Sequence, residues 1–258
     1  IDQIMIFYNI SKEFIIKQSP LEKPRIIRAL SRIDLEISKG STFGLIGESG
    51  SGKSTLGKVA TNLLTPDQGD VFFEGRNIFK IGDKDMRSLR KDIQIVFQMA
   101  LNPLDPKRTV EELLSEPLKI HLKLSQHVII DKINTLLERV GLNETYRRKF
   151  PFQLSGGQRQ RVIIARAIAT EPKFLVLDEP VSALDVSMQG QIMNLLIDLK
   201  EELDLTYLFI THDLYLARKF CDQIAVMKDG FIVETGNTAE IMRDTEEEYS
   251  KRLISYFD

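Results

Sequence analysis

Cysteine is almost absent from this chain of 258 residues, which contains only Cys221. A single cysteine cannot form an internal disulfide, and it cannot supply a four-cysteine zinc or iron–sulfur site. This usage is typical of a reducing compartment, so we expect a cytoplasmic setting.

Long apolar runs and a charge excess are missing as well. No apolar run approaches the roughly 20 residues of a membrane span, and the chain does not open on a basic segment followed by an apolar one. It begins at Ile1 rather than methionine, so we expect the natural N-terminus to lie further upstream. Membrane association is expected only through a partner. Lysine and arginine number 35 against 37 aspartates and glutamates, which gives no indication of a nucleic-acid surface.

What the chain does contain is a phosphate-binding loop, which fits the pattern G-x-x-x-x-G-K-[ST] at every fixed position. The loop consists of Gly47, Glu48, Ser49, Gly50, Ser51, Gly52, Lys53, Ser54 and Thr55. The apolar run at 41–46 predicts a buried strand before it, and the helical spacing of Leu56 to Leu64 predicts a helix after it.

The chemistry expected of this loop is triphosphate binding. Its glycines let backbone N–H groups converge on one anion, and the helix start adds free N–H groups and the positive end of the dipole. Lys53 can bridge the outer phosphates, and the Ser54 hydroxyl can ligate Mg²⁺. The alternative is a glycine-rich turn that happens to carry a lysine, and the intact strand and helix pattern argues against it.

Two adjacent carboxylates end the apolar run at 174–177. Such a run is typical of a strand buried in a parallel sheet, and ligand groups in such sheets lie at the carboxyl ends of strands. We therefore expect Asp178 to hold the Mg²⁺ shell and Glu179 to orient and deprotonate an attacking water. The alternative interpretation is that these two carboxylates only end the strand in solvent and have no role in a site.

Three further candidates carry weaker signals. Gln98 follows the predicted strand at 93–97, where its amide can reach Mg²⁺ or water, or bond the backbone as an ordinary loop residue. His212 lies at the carboxyl end of the predicted strand at 207–210. A lone histidine is usually structural, but this position agrees with the other site residues. Phe14 can stack on a base, although a core aromatic is the commoner role.

A second anion site is predicted where a helix starts after Leu154. It consists of Ser155, Gly156, Gly157 and Gln158. A serine and two glycines at a helix start leave several backbone N–H groups available. An ordinary helix N-cap is the alternative, but two such helix starts in one chain favour anion binding.

The predicted fold is α/β, with a P-loop NTPase core containing a parallel sheet, an antiparallel β lobe and an inserted α-helical subdomain. We treat 1–258 as one domain. Residues 1–98 form the β lobe and the phosphate-loop part of the core, broken by the polar segment Lys17–Lys23. Residues 99–160 form the helical subdomain, whose entry is punctuated by Pro103, Pro106 and Pro117. Residues 161–258 complete the core, with a hairpin at Asp229–Gly230 and a helical tail from Thr238.

The order of these motifs resembles that of the nucleotide-binding subunit of ATP-binding cassette (ABC) transporters. The matching segments are the phosphate loop, Gln98, 154–158, 174–179, 182–185 and His212. The sequence Leu-Ser-Gly-Gly-Gln at 154–158, continued by Arg-Gln-Arg, is highly specific to that family, and the resemblance covers essentially the whole chain. It implies ATP and Mg²⁺ as cofactors.

The resemblance also implies a head-to-tail pair of subunits. Ser155 and Gly157 would then face the γ-phosphate held by the other subunit's loop, and Asp185 would communicate across the same interface. Phe14 becomes the expected adenine-stacking residue.

Within the family, the chain is most similar to importers of oligopeptides, dipeptides and nickel, through its Gly-Glu-Ser-Gly-Ser-Gly-Lys-Ser loop and the segments 104–110 and 115–118. This implies an ATPase, located peripherally on the cytoplasmic face of the membrane, that powers import of peptides, nickel or a related small solute. The implied partners are a second ATPase subunit (identical or paralogous), transmembrane permease subunits and, indirectly, an external solute-binding protein. Nucleic acid is not an expected partner.

Two segments depart from that subgroup. Gln98-Met99-Ala100 stands where Gln-Asp-Pro is common, and Glu247-Glu248-Tyr249-Ser250 stands where His-Pro-Tyr-Thr is common. The departing residues, Met99-Ala100 and those at 247–250, are expected to lie outside the ATP site, but they leave the substrate open.

The rival hypothesis is a soluble ABC ATPase acting on DNA or ribosomes. Such proteins tend to show zinc cysteines, long coiled-coil arms or two cassettes in one chain, and this sequence has a single cysteine and one copy of each motif. A P-loop kinase or GTPase would not explain 154–158, and the Asn-Lys-x-Asp guanine motif is absent.

Overall fold

The structure is a computed structural model that describes residues 2–16, 24–98, 104–122 and 124–255. The predicted break at Lys17–Lys23, the segment Met99–Ala100 and Pro103 lie outside the described residues. The chain divides into two compact units, one of Ile1–Gly82 with Thr206–Asp258 and one of Asp83–Leu205.

The strands are β1 (Gln3–Ile16), β2 (Arg25–Ser38), β3 (Thr42–Ile46), β4 (Gln68–Phe73), β5 (Arg76–Asn77), β6 (Ile93–Val96), β7 (Phe174–Asp178), β8 (Thr206–Thr211), β9 (Gln223–Lys228) and β10 (Phe231–Asn237). The α-helices are α1 (Lys53–Ala60), α2 (Asp83–Asp92), α3 (Val110–Leu122), α4 (Gln126–Arg139), α5 (Gly156–Ile168), α6 (Val186–Leu203), α7 (Leu214–Phe220), α8 (Thr238–Asp244) and α9 (Glu248–Ser255). Among the described residues, no helix combines the length and the apolar composition needed to cross a membrane.

The first unit contains the predicted antiparallel β layer, whose strand order is β2-β1-β4-β5. The apolar residues at 4–7 predict a short strand, but β1 is much longer, because it pairs with β2 along its whole length and keeps Phe14 opposite Ile27. The end of β1 near Ile16 and the start of β2 near Arg25 are exposed. The register of the two strands there is therefore held by backbone hydrogen bonds and not by burial of side chains.

The first unit also contains a second sheet, with neighbouring strands in the order β10-β9-β3-β8. Strand β3 runs parallel to β8 and β9, and all residues of β3 and β8 are buried, which explains their continuous apolar sequences. Strand β10 is antiparallel to β9 across the predicted hairpin, where Asp229 and Gly230 adopt φ angles of 49° and 83°. Because Ile46 pairs with Thr211, the phosphate loop and His212 leave the same edge of this sheet.

Helix α1 confirms the helix predicted after the loop but is shorter than predicted. It ends at Ala60, and Leu63 is 57% exposed instead of packing on an apolar face. The cause is Asn62, whose φ of 53° is left-handed and whose side-chain amide donates to the backbone oxygen of Ile78 at 2.8 Å. Asparagine tolerates this conformation and ends the helix.

The second unit contains the parallel pair β6 and β7 and helices α2 to α6. The spacing of apolar residues at 128–140 predicts an amphipathic helix ending near Gly141, and α4 confirms it. Pro117 was predicted to interrupt helical structure at the entry to the subdomain, and that prediction is wrong. It lies inside α3. The cost of a proline within a helix is offset by burial of Val110, Leu113, Leu114 and Leu118 on one face of α3.

Candidate functional site

The phosphate loop joins β3 to α1 and is fitted closely to the backbone of the first unit. Gly47 and Gly52 have φ angles of 150° and 108°. A Cβ atom on Gly47 would lie 2.2 Å from the Met227 backbone oxygen, and one on Gly52 would lie 2.3 Å from the Ala29 backbone oxygen. Only glycine fits at either position, so the loop's course is fixed by both conformation and space.

Lys53 lies at the centre of this loop. Its side chain is buried, and its ammonium donates to the backbone oxygens of Gly47 at 2.8 Å and Glu48 at 2.7 Å, and to the Ser51 hydroxyl at 3.3 Å. A buried cation, a curled backbone and the N-terminus of α1 converge at one place. This donor set fits the triphosphate of ATP.

Two contacts to the loop were not predicted from the sequence. The backbone N–H of Gly230 donates to the Ser51 backbone oxygen at 3.0 Å, and the backbone N–H of Glu48 donates to the Tyr249 hydroxyl at 3.3 Å. The hairpin at Asp229–Gly230 can be predicted from its sequence. Its contact with the loop cannot, because that contact depends on the parallel pairing of β3 with β9. The expectation that 247–250 lies outside the ATP site is therefore wrong for Tyr249, whose contact with Glu48 no local pattern signals.

Phe14 and His212 also belong to the first unit. Phe14 is 38% exposed and has the Lys12 ammonium 5.8 Å from its ring centroid, so it is not a core aromatic. His212 is exposed and directly follows β8. The next residue, Asp213, caps α7 by accepting from the Leu216 N–H at 3.1 Å, which fixes the turn that carries His212.

In the second unit, the structure brings Gln98 and Glu179 together. Strands β6 and β7 pair with Val96 opposite Leu177, so the residues that follow them are neighbours. The Gln98 amide nitrogen donates to a Glu179 carboxylate oxygen at 3.0 Å and to the Ser182 hydroxyl at 3.3 Å. Gln98 therefore bonds side chains here and does not act only as a loop residue that bonds the backbone.

The backbone at Glu179 is left-handed, with a φ of 47°. This region is uncommon for a residue other than glycine. It is supported locally, because the Ser182 hydroxyl donates to the Glu179 backbone oxygen at 3.2 Å. The preceding residue, Asp178, ends β7 and is only 5% exposed. The two adjacent carboxylates thus have different environments. Asp178 is buried, whereas the Glu179 carboxylate accepts a hydrogen bond from Gln98.

The expected Mg²⁺ ligands are Ser54, Gln98 and Asp178. Within the described parts of the chain, no group of three or more histidine, cysteine, aspartate or glutamate side chains is placed to hold a metal ion. A hydroxyl, an amide and a single carboxylate are hard oxygen donors, and Mg²⁺ is commonly held by one or two carboxylates together with substrate phosphates. The residue types fit a nucleotide-bound Mg²⁺.

The predicted second helix start is the N-terminus of α5. Ser155 is its N-cap: the Ser155 hydroxyl accepts from the Gln158 N–H at 3.3 Å, and the Gln158 side-chain oxygen accepts from the Ser155 N–H at 3.0 Å. A Cβ on Gly157 would lie 1.7 Å from the Met188 methyl carbon. Asp185 in turn caps α6 by accepting from the Met188 N–H at 2.9 Å. The α5 and α6 starts are thereby packed together, while their anion-binding role stays a prediction.

The second unit also carries a groove of about 370 Å³ between β6, α3 and α5. Its apolar lining comprises Ile95, Phe97, Leu104, Pro117, Ile120, Ile163 and Ala167. At its rim, the Glu116 carboxylate accepts from Arg108 at 2.7 Å and Arg166 at 2.6 Å, and these guanidinium groups, Arg108 foremost, lower the pKa of Glu116. Burial, together with the positive charges of Arg90, Lys91 and Arg87, lowers the pKa of His121 in the same groove.

Comparison with known proteins gives one consistent result. Residues 30–182 match the family described as ABC transporter. The chain is 39% identical over 248 residues to the dipeptide transport ATP-binding protein DppF of Haemophilus influenzae, covering 96% of this chain and 76% of that protein. It is 42% identical over 229 residues to the oligopeptide transport ATP-binding protein OppF of Lactococcus lactis, covering 89% of this chain and 72% of the relative.

Solved structures agree. The dimeric, post-hydrolysis structure of the ATP-binding cassette MJ0796 bound to ADP and Pi has a TM-score of 0.80 and 32% identity to this chain, covering 91% of this chain and 98% of that one. The cassette cbiO1 of Clostridium perfringens, part of the ABC transporter complex cbiONQ, has a TM-score of 0.79 at 32% identity, covering 95% and 92%. The predicted α/β cassette fold is confirmed.

Proposed function

This chain belongs to the ABC transporter family, and we propose that it is the ATP-hydrolysing subunit of an importer for peptides, nickel or a related small solute. The observation that carries the proposal is the phosphate loop, with Lys53 buried among loop oxygens and with two glycines that no other residue can replace. The names of the relatives favour peptides as the cargo.

In this proposal the loop residues bind ATP, and Glu179 and Gln98 serve its hydrolysis. Backbone N–H groups from Gly47 to Thr55 and the Lys53 ammonium hold the triphosphate. Glu179 orients a water and accepts its proton, and Gln98 directs the carboxylate that does so. Ser54, Gln98 and Asp178 would hold Mg²⁺, which when bound supplies charge neutralisation to the phosphates. Phe14 would stack on the adenine, and His212 would act on the phosphate side.

The working form of the protein is proposed to be a dimer. In the dimer, the γ-phosphate held by one subunit's loop would face the other subunit's Ser155, Gly156, Gly157 and Gln158. Asp185 would communicate conformational changes across the same interface. The dimeric form of the similar cassette MJ0796 supports this arrangement. ATP contacting both subunits would favour the closed dimer, and hydrolysis would release it.

The proposed membrane partner is a permease, which would place this subunit peripherally on the cytoplasmic face. The segment proposed to contact it lies near Gln98 to Pro117, in the helical subdomain predicted at 99–160. Support comes from the groove beside α3, whose lining is largely apolar. One of the lining residues, Ile120, is 58% exposed and therefore open to contact by another protein. A groove of this kind suits a short apolar segment of another protein.

Co-purification tests the transport assignment. A tagged chain expressed in its own cell should recover a polytopic membrane protein from detergent extract, and Ile120→Asp should reduce that recovery without changing the ATPase rate of the isolated chain. Val128→Asp is the matched control, because Val128 is an exposed apolar residue of the same unit outside the groove. Recovery of ribosomes or DNA instead of a membrane protein would support the soluble alternative.

A further inference from the structure

The short C-terminal helix α9 contacts the phosphate loop directly. Tyr249, in its first turn, is 6% exposed, and its hydroxyl accepts from the backbone N–H of Glu48 at 3.3 Å. The two residues are 201 positions apart in the chain. Glu48 directly follows Gly47, so this bond fixes the peptide at which the chain leaves β3 and begins to curl.

The ring of Tyr249 is held from a second direction. The Lys228 ammonium lies 5.0 Å from its ring centroid, at the end of β9. Two residues later, the Gly230 N–H donates to the Ser51 backbone oxygen at 3.0 Å. The first half of the phosphate loop is therefore attached to two C-terminal elements, the β9–β10 turn at Ser51 and α9 at Glu48.

The attachment of α9 rests on few residues. Among its eight residues, only Tyr249 and Ser250 are buried. Burial raises the pKa of the Tyr249 hydroxyl, with the Glu48 carboxylate and Asp229 nearby, so the group stays protonated and neutral at ordinary pH. A neutral hydroxyl accepts from a backbone N–H without placing negative charge beside a phosphate site.

We propose that Tyr249 is a positioning residue of the phosphate loop: by accepting from the Glu48 N–H it holds the loop in its ATP-binding curve, so that docking of α9 sets the affinity for nucleotide. The inference rests on the proposed function only in taking ATP as the loop's ligand. A loop held in its binding conformation binds more tightly, since unbound conformers no longer compete. Tyr249 touches no reacting atom and should act on binding, not on the hydrolytic step.

The test compares Tyr249→Phe with Tyr215→Phe in the full chain. The first keeps the ring over Lys228 and removes only the acceptor of the Glu48 N–H. The second removes the hydroxyl of an exposed tyrosine in the same unit that also lies under a lysine, with the Lys219 ammonium 4.1 Å from its ring centroid. ATP binding is measured by titration with magnesium present, and KM and kcat are measured by phosphate release.

Tyr249→Phe should weaken ATP binding and raise KM about three- to tenfold, the size expected for one hydrogen bond, with kcat unchanged at saturating ATP. Hydrogen–deuterium exchange of the nucleotide-free protein should increase in the peptide covering 46–52 and not across α8. Tyr215→Phe should match the wild type in every readout.

Three results would overturn the proposal. One is an ATP affinity within twofold of the wild type in Tyr249→Phe. Another is a fall in kcat with KM unchanged, and a third is faster exchange spread over α8 and the β9–β10 hairpin, which would mean a general structural role. A wild-type chain that binds no ATP would overturn the proposed function and this inference together, whereas normal wild-type binding beside an unaffected variant counts against Tyr249 alone.

Discussion

The side-chain amide of Gln98 donates a hydrogen bond of 3.0 Å to the carboxylate of Glu179, although the residues are 81 positions apart. The parallel pairing of β6 with β7 brings them together, and the backbone at Glu179 is left-handed. An amide donor fixes the orientation of the carboxylate it bonds. A general base must be held in a defined orientation toward the proton it accepts.

Replacing Glu179 with glutamine should separate binding from hydrolysis. Glu179→Gln keeps the size of the side chain and removes its capacity to accept a proton, so ATP binding should persist while kcat falls about 100-fold or more. ATP titration and phosphate release measure the two effects. Glu201→Gln, an exposed carboxylate in α6 of the same unit, is the control and should behave like the wild type. Near-normal turnover in Glu179→Gln would remove the residue from this role.

The bond between Gln98 and Glu179 should appear as non-additivity in a double-mutant cycle. Gln98→Ala alone should lower kcat, because the carboxylate loses the donor that orients it. In the Glu179→Gln background, with Mg²⁺ saturating so that weaker metal binding by Gln98→Ala does not contribute, the same change should have little further effect, since the base is already absent. The rate losses of the four proteins are compared at saturating ATP. Additive losses would mean that Gln98 acts independently of Glu179.

Local patterns in the sequence predicted most of the elements that form the site. The loop at 47–55 and the apolar runs that become β3, β7 and β8 are contiguous signals, and the structure places each where it was expected. The N-cap at Ser155 is equally local, because serine and glutamine stand three residues apart.

What could not be predicted depends on residues distant in the chain. Strand β1 extends to Ile16 only because β2 pairs with it, and α3 continues through Pro117 because its apolar face is buried. The contact of Tyr249 with Glu48 joins residues with no shared pattern. In each case tertiary pairing decides the outcome where local propensity is weak or contrary.

The two glycines in the middle of the loop should respond differently to alanine. Gly50 and Gly52 both have positive φ angles, 84° and 108°, so each alanine variant should lose about 1–2 kcal/mol through backbone strain. A Cβ on Gly50 meets nothing within 4 Å, whereas one on Gly52 would lie 2.3 Å from the Ala29 oxygen. Gly52→Ala should therefore lose roughly 1–3 kcal/mol more from the forced displacement.

Urea unfolding without nucleotide measures this difference, because ligand contacts then play no part. Gly50→Ala serves as the matched control for strain alone. Equal midpoints for the two variants would show that the β2 backbone yields freely at Ala29, and that the loop is less closely fitted than its geometry indicates.

The ion-paired carboxylate beside α3 should give the second unit a pH-dependent stability. Arg108 and Arg166 lower the pKa of Glu116 below its ordinary value of 4.5. A carboxyl group with a lowered folded pKa contributes stability above its unfolded pKa and loses it as pH falls through the folded value. Glu116→Gln should therefore lower the free energy of unfolding by about 1 kcal/mol at pH 7, since the pair is partly exposed.

As pH falls from 4.5 through the lowered folded pKa of Glu116, the two proteins should converge, because the wild-type carboxyl becomes protonated and resembles the glutamine. Urea unfolding at pH 7, 5, 4 and 3, compared as the difference between the two proteins, cancels the titration of the other groups. Glu202→Gln, which removes a single ion pair with Arg139 at a carboxylate that is 48% exposed, should give a smaller difference at pH 7. A Glu116→Gln difference that stays constant down to pH 3 would mean that Glu116 stabilises the unit through its shape and neutral hydrogen bonds, and that its charge contributes nothing.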